Sequence, residues 1–394
     1  MTSTFDWIVI GAGITGSALS YELIAQGFSV LLLEKDRQLD NATLYSYGGL
    51  AYWSGTDPLT RQLSQEGIEI YRVLSSQLES DIEFREIDLL LTVDREADVE
   101  QIAATYDKFA MAPQRLSLAE AIAWEPLLNP DAIAGALRLS HGHMHPKKTN
   151  DAYQQAFTRL GGQIRYECVQ GFEFKGDRIT AVNTDQQKYA AAKVVVCAGA
   201  LGRSLLKSAG ISIPLYFTHS QIVKIPPSDR QLSTLIMPAQ LQRLGLETLA
   251  SEPEQTKQWQ SEQGTLDYRV LDRGAVQFLD DSIVLGQVSE ILPNPQANLD
   301  LNQIERDLRR GIAHILPELA QLPGTCHSCK VAFARRSQPL VGEIIVDSGL
   351  FCFSGFTSTL LLAPPLARHF AHWVAGNADA IMEQLPAIAL EKEN

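Results

Sequence analysis

The sequence predicts an α/β chain in which a doubly wound, parallel-sheet unit is joined to an α+β unit built on an antiparallel or mixed sheet. Two observations carry the first unit. An apolar strand over 5–10 runs straight into Gly11-Ala-Gly13-Ile-Thr-Gly16, and a second apolar run, Val194-Val-Val-Cys197, stops at Ala198-Gly199. A third carries the second unit: the stretches 214–225, 268–278 and 282–288 alternate apolar and polar residues, as strands covered on one face do.

Each part of the opening has a physical purpose. Gly11 allows a tight turn, Gly13 lets the backbone approach a pyrophosphate, and Gly16 lets helix and strand pack closely. The helix that follows, ending near Gln26-Gly27, offers unpaired N–H groups and a positive dipole end to phosphates. A second strand over 28–33 closes at Glu34, where a carboxylate can accept hydrogen bonds from both ribose hydroxyls of an adenosine. Strand, glycine turn, helix and acid at this spacing read as a Rossmann-like adenine-dinucleotide site.

Composition narrows the class. A chain of 394 residues holds two domains, or one with a large insertion, and 45% hydrophobic with 20% charged residues is ordinary for a globular enzyme. The formal charge of −13 argues against nucleic acid or an anionic membrane as partner, since both repel such a surface. The most apolar stretch, 350–366, is broken by Gly355, Pro364 and Pro365, so no integral membrane segment is expected. Five cysteines, an odd number with no secretory signal, imply reduced thiols and a cytoplasmic location.

After Glu34 a polar turn leads to Ser46-Tyr-Gly48-Gly49, two glycines among aromatics, which suits backbone passing close to something flat or a loop packed by its aromatics. Asp57-Pro58 opens a helix to about residue 80, 87–93 is a strand, and 98–109 and 117–124 are helices, the latter opened by Ser117-x-x-Glu120. A second α/β unit follows: a helix over 149–160, a strand over 163–166, and a hairpin of 169–174 with 178–184 around Gly176-Asp177. The Glu/Gln-rich 251–264 has no periodicity and reads as a solvated surface insertion. A helix over 302–315, strands near 329–333, 339–342 and 350–353, and a last helix to about residue 374 complete the chain.

Only one Gly-x-Gly-x-x-Gly is present, so a bound FAD would draw its electrons from an organic substrate rather than from a nicotinamide. Four stretches in order, Val9-Ile-Gly-Ala-Gly-Ile-Thr-Gly16 with Glu34, Leu118-Ala-Glu-Ala…Trp124-Glu-Pro-Leu127, Val194-Val-Val-Cys-Ala-Gly-Ala200, and Pro339-Leu-Val-Gly342…Gly349-Leu-Phe-Cys-Phe-Ser-Gly-Phe356…Ala363-Pro364, resemble the D-amino-acid oxidase, glycine oxidase and sarcosine oxidase family of FAD-dependent oxidoreductases. The resemblance implies that Gly11, Gly13, Ile14, Thr15, Gly16, Glu34 and Lys35 hold the ADP half. It implies that Val169 meets the adenine region and that Ala198 and Gly199 border the cofactor. Ser46, Gly48 and Gly49 would pass near the isoalloxazine, and Gly355, Phe356 and Thr357 would lie beside its pyrimidine edge. A helix N-terminus there would stabilise the negative charge of reduced flavin, although Pro364-Pro365 requires the helix either to kink or to begin at that point.

The implied chemistry is oxidation of the C–N bond of an amine or α-amino acid (D-amino acid, glycine or sarcosine type) by hydride transfer to flavin N5, with oxygen or a quinone-type acceptor. A substrate carboxylate calls for a cation, and Arg335 and Arg336, or Arg269 and Arg273 near a sheet strand, are the candidates. Where many relatives read Pro-Asp-Gly, this chain reads Arg335-Arg336-Ser337, a pair that equally suits a solvated or phosphate-facing surface. A 2-hydroxy-acid dehydrogenase on the same scaffold, or a flavoprotein acting as an assembly or binding factor, are the rival readings. His141-Gly-His143-Met-His145 would set three imidazoles on one face if extended, but no acid or thiolate stands near in sequence, and Cys326-x-x-Cys329 lacks a second pair, so no metal is assigned. Cys329 reads as a buried thiol or as a thioether tether for FAD; Tyr45, Tyr47, Tyr52 and Trp53 read as an aromatic wall over the substrate or as core. The expected division is a cofactor domain from 1–80, 140–213 and 325–394 and a substrate domain from 81–139 and 214–324.

Overall fold

The computed structural model describes residues 4–261, 266, 268–335 and 338–391. At the centre of the first sheet lies Thr4–Ile10, paired in parallel with Val30–Glu34 on one side and Lys188–Val196 on the other. Gln163–Tyr166 extends one edge and Leu350–Ser354 the other, both parallel, and Leu340–Glu343 closes the latter edge antiparallel. Parallel neighbours need crossovers, and the first of these is the helix Ile14–Ala25.

Residues alternate between the two faces, as a pleated strand requires. Trp7, Val9, Leu32, Val195 and Phe353 pack under the helices Ile14–Ala25, Pro146–Arg159 and Thr359–Val374. Ile8, Ile10, Leu31, Leu33, Val194 and Val196 face the other way, toward the hairpin Val169–Lys175 with Arg178–Thr184 and the short helix Leu201–Lys207.

A second, nine-stranded sheet runs in the order Thr325–Ala334, Leu215–Ile225, Ile283–Glu290, Arg269–Gln277, Leu235–Pro238, Arg85–Asp94, Ile133–His143 and Gly49–Leu50, with Gln114–Ser117 also pairing to Ile133–His143. All its pairings are antiparallel except Leu235–Pro238 with Arg85–Asp94. The helix Leu301–Ile315, N-capped by Asp300, turns Ile304, Leu308, Ile312 and Ile315 onto this sheet, the i, i+4 spacing of one helical face.

Several expectations are corrected here. Thr325–Ala334 pairs residue for residue with Leu215–Ile225, and Gly49–Leu50 pairs with Ile133–His143, so both belong to the second sheet rather than the first. The strand Ile133–His143 was not read from the sequence because burial on both faces leaves it without alternation. The helix expected over 98–109 is only Val99–Ala104; Tyr106 and Phe109 beyond it are drawn into the core around Trp53. Nor is 251–264 a solvated insertion: Thr256–Ser261 is helical, and Trp259, 1% exposed, packs on Tyr216 and Phe217, while 262–265 lie outside the described residues.

Candidate active site

One cavity of about 1330 Å³ is lined by residues of both sheets. At its first-sheet end lies the glycine turn. Gly11 has φ +101° and Gly13 N-caps the helix Ile14–Ala25 without a side chain, so Gly11, Gly13, Ile14 and Thr15 all reach the cavity. Gly16 does not line it; a Cβ there would stand 1.8 Å from Gly11 O, which is why helix and strand approach so closely. Glu34 ends its strand on the cavity wall and is oriented by two backbone donors, Ala12 N to Oε2 at 2.8 Å and Asp36 N to Oε1 at 3.2 Å. Lys35 and Val169 lie alongside, and Ala198 and Gly199 (φ +52°) continue the wall.

Sequence reasoning missed the supports behind this turn. Asn150 Nδ2 and Gln154 Nε2 both donate to Ala12 O, at 3.1 and 3.0 Å, and Thr43 Oγ1 accepts from Ile14 N at 3.1 Å. An adenine dinucleotide fits what is present: a glycine turn, a fixed carboxylate at the strand end, and a helix N-terminus, its first N–H taken by Thr43, in one cavity.

Midway, Ser46 and Gly49 line the cavity, whereas Gly48 (φ +74°) does not; a Cβ on Gly48 would stand 2.0 Å from Met144 O. Gly355 (φ +76°), Phe356 and Thr357 also line it, followed by the start of the helix Thr359–Val374. Ser358 gives that helix no side-chain cap, so its positive end opens on the cavity. The helix runs unbroken through Pro364 and Pro365. Proline has no N–H, so the carbonyls of Leu360 and Leu361 lose their i+4 donors. Tyr71 OH donates to Leu360 O at 2.6 Å, and Gly67 lets the neighbouring helix close against Leu361 O.

At the far end the second sheet supplies polar groups. His141, on the cavity wall, accepts from Trp53 Nε1 through Nδ1 at 3.1 Å, and burial pushes its pKa down to about 3, so the ring is neutral. His143 packs on Phe278 and is held by Arg85 Nε at 3.3 Å, while His145 caps the helix Pro146–Arg159. The three imidazoles thus have separate structural partners. Cys329 lines the cavity as a buried thiol whose pKa burial pushes up to about 12, which leaves it protonated at neutral pH.

Three of the expected substrate arginines face elsewhere, among them Arg273, which donates through Nη2 to Asp94 Oδ1 at 2.6 Å. Arg335 donates through Nε to Ser251 O and through Nη2 to Tyr216 OH, both at 2.7 Å, and pairs with Glu391 at 3.5 Å. Arg269 is held between Glu290 and Asp307, each at 3.1 Å. None of the three lines the cavity, and Arg336 lies outside the described residues. Among the described residues the guanidinium that does line it is Arg243, on the helix Gln242–Ala250, a segment the sequence leaves unassigned. An Arg243-x-x-x-Glu247 pair at helical spacing was the available signal.

Comparisons with known proteins agree with this geometry. The family model for FAD dependent oxidoreductases (DAO) matches residues 6–373. The chain is 28% identical over 218 residues to 4-methylaminobutanoate oxidase (formaldehyde-forming) of Paenarthrobacter nicotinovorans, covering 53% of this chain and 26% of that protein. It is 27% identical over 248 residues to glycine oxidase of Geobacillus kaustophilus, covering 60% and 65%. The matches therefore span about a quarter of the first relative's length and under two thirds of the second's. The crystal structure of glycine oxidase from Geobacillus kaustophilus superposes with a TM-score of 0.78 at 20% identity over 96% of both chains. With the family model matched along nearly the whole chain, this protein belongs to the DAO family of FAD-dependent oxidoreductases.

Proposed function

We propose that the protein oxidises the C–N bond of a small-molecule amine or α-amino acid. The observation that carries this is one continuous cavity, which joins the glycine turn and Glu34 to a pocket walled by His141 and Asp272 of the second sheet and by Tyr47. When bound, FAD would supply the two-electron acceptor for this oxidation, and hydrolysis of the imine product would give the carbonyl compound.

The chain's own residues have the following proposed parts. Glu34, with Lys35 and Val169 beside it, receives the adenosine end; Gly11, Gly13, Ile14 and Thr15 present backbone to the phosphates; Gly16 and Gly48 shape the backbone behind them. Ala198 and Gly199 flank the chain of the cofactor, Ser46 and Gly49 back its ring, and Gly355, Phe356 and Thr357 meet the edge on which negative charge develops. His141, neutral and anchored by Trp53, holds the wall beside Gly49 without adding charge. The two sheets then mark a cofactor-binding and a substrate-facing part.

The test is product analysis. FAD-loaded protein incubated with amines and amino acids is expected to release a carbonyl compound and an amine or ammonia in equal amounts. Release of a keto acid from 2-hydroxy acids alone would replace this reading with hydroxy-acid oxidation.

A further inference from the structure

The far wall of the cavity carries four polar groups: Asp272 on the strand Arg269–Gln277, Tyr47 just before the paired glycines, and Arg243 with Glu247 one turn apart on the helix Gln242–Ala250. Arg243 Nε donates to Glu247 Oε1 at 2.8 Å. Asp272 has no hydrogen bond or ion pair among the described residues, although Arg243 is near enough to act on it electrostatically. The Tyr47 hydroxyl is buried and has no hydrogen-bond partner among the described residues. It lies 3.4 and 3.3 Å from where Cβ atoms of Gly274 and Gly286 would stand, so two glycines on adjacent strands make room for it, and Asp272 acts on it electrostatically.

One guanidinium facing two carboxylates leaves this corner with a net negative charge. Lys330, the other cation on the second-sheet wall, is on the edge strand Thr325–Ala334, three strands away, which is about 14 Å at ordinary strand spacing. A substrate carboxylate brought to Arg243 would be the third around one guanidinium. What the corner lacks is a cation with N–H donors: the half-buried Asp272 carboxylate has no side-chain partner among the described residues, and a buried hydroxyl without one is costly. Burial accordingly pushes the Asp272 carboxyl up to about 6.

We propose that Asp272 and the Tyr47 hydroxyl form a subsite for a cationic nitrogen, ammonium or guanidinium, carried by the substrate at the end remote from the bond that is oxidised. This rests on the amine-oxidation reading: Tyr47 immediately precedes Gly48-Gly49, so its side chain reaches from the backbone assigned to the flavin ring toward Asp272. The substrate class is then a diamine or a basic amino acid, with two nitrogens several bonds apart.

The test compares matched pairs on FAD-loaded protein without oxygen: 1,4-diaminobutane against butylamine, and ornithine against norvaline in both enantiomers. The doubly charged member of at least one pair is expected to half-saturate flavin bleaching at a concentration roughly tenfold to a hundredfold lower, the worth of a charge-assisted hydrogen bond. D272N is expected to bring the pair within about threefold, and D272E to retain more of the difference than D272N. As a readout independent of turnover, methylguanidine is expected to raise the Tm of the loaded wild type and not that of D272N. Equal half-saturation within both pairs, or a preference that survives in folded, FAD-loaded D272N, overturns the subsite while amine oxidation stands. Bleaching by 2-hydroxy acids and by no amine overturns both.

Discussion

At Gly16 the missing side chain is a geometric requirement, because a methyl group would stand 1.8 Å from the Gly11 carbonyl oxygen and no rotamer relieves the clash. Gly16→Ala is expected to destabilise the fold by at least about 2 kcal/mol in denaturant titration, the scale of an overpacked core, and to lower FAD content with it. Wild-type stability in that variant would show that helix and strand have slack the structure does not display. Glu34 works differently: its carboxylate is already held by two backbone N–H groups and presents its remaining lone pairs to the cavity. Glu34→Ala is expected to weaken FAD binding roughly tenfold to a hundredfold in a fluorescence titration, the worth of charge-assisted hydrogen bonds, with the fold retained. Unchanged affinity would remove Glu34 from the cofactor site.

Among elements, the helix Thr359–Val374 shows what a sequence alone leaves undecided. Two consecutive prolines suggested a break or a start, yet the helix passes through them, since Tyr71 from the helix Pro58–Gln77 supplies the donor that Pro364 cannot. That partner is 289 residues distant in the chain, beyond the reach of any local rule. Tyr71→Phe is expected to cost about 1–3 kcal/mol by leaving the Leu360 carbonyl buried and unpaired. A cost under about 0.5 kcal/mol in thermal unfolding would mean the carbonyl is satisfied another way. The glycine turn, its helix and the acid at Glu34 were legible because backbone geometry ties their residue types to their spacing. Arg243 was not, because only the fold decides which of many arginines meets the cavity, and Arg335 and Arg269 looked as suitable until their partners Tyr216, Glu290 and Asp307 came into view.

In the whole molecule, three helices of the layer packed on the first sheet are joined by a contact that also responds to pH. His369 lies between Glu66, 2.8 Å from Nε2, and Asp379, 2.8 Å from Nδ1, and Asp379 also caps the helix Ala380–Gln384, whose end reaches the cavity at Gln384 and Leu385. The hydrogen bond to Glu66 is the main cause raising the His369 pKa above its usual value, and the same bond lowers that of Glu66. A raised histidine stabilises the fold fully below its unfolded pKa near 6.5 and loses that contribution as pH rises through the folded value, whereas the lowered carboxylate contributes above its own unfolded range and fails in acid. The Tm difference between wild type and His369→Gln is therefore expected to be largest below about pH 6.5, above the carboxylate range, and to shrink as pH rises. A difference that grows with pH would contradict the clasp. His141 and His143, neutral with pKa values lowered to about 3 by burial, bias both proteins the opposite way and cancel in that difference. Both sheets were foreseeable in kind from apolar runs and alternation, but the membership of Gly49–Leu50 and Thr325–Ala334 was not, since it depends on long-range pairing. The central claim, amine oxidation by FAD held in this cavity, is tested most directly by anaerobic absorbance titration of the FAD-loaded protein with amines, amino acids and 2-hydroxy acids. Loss of the oxidised flavin band with a nitrogen substrate and not with 2-hydroxy acids is the predicted result; bleaching by 2-hydroxy acids alone, or a protein that cannot be loaded with FAD, would contradict it.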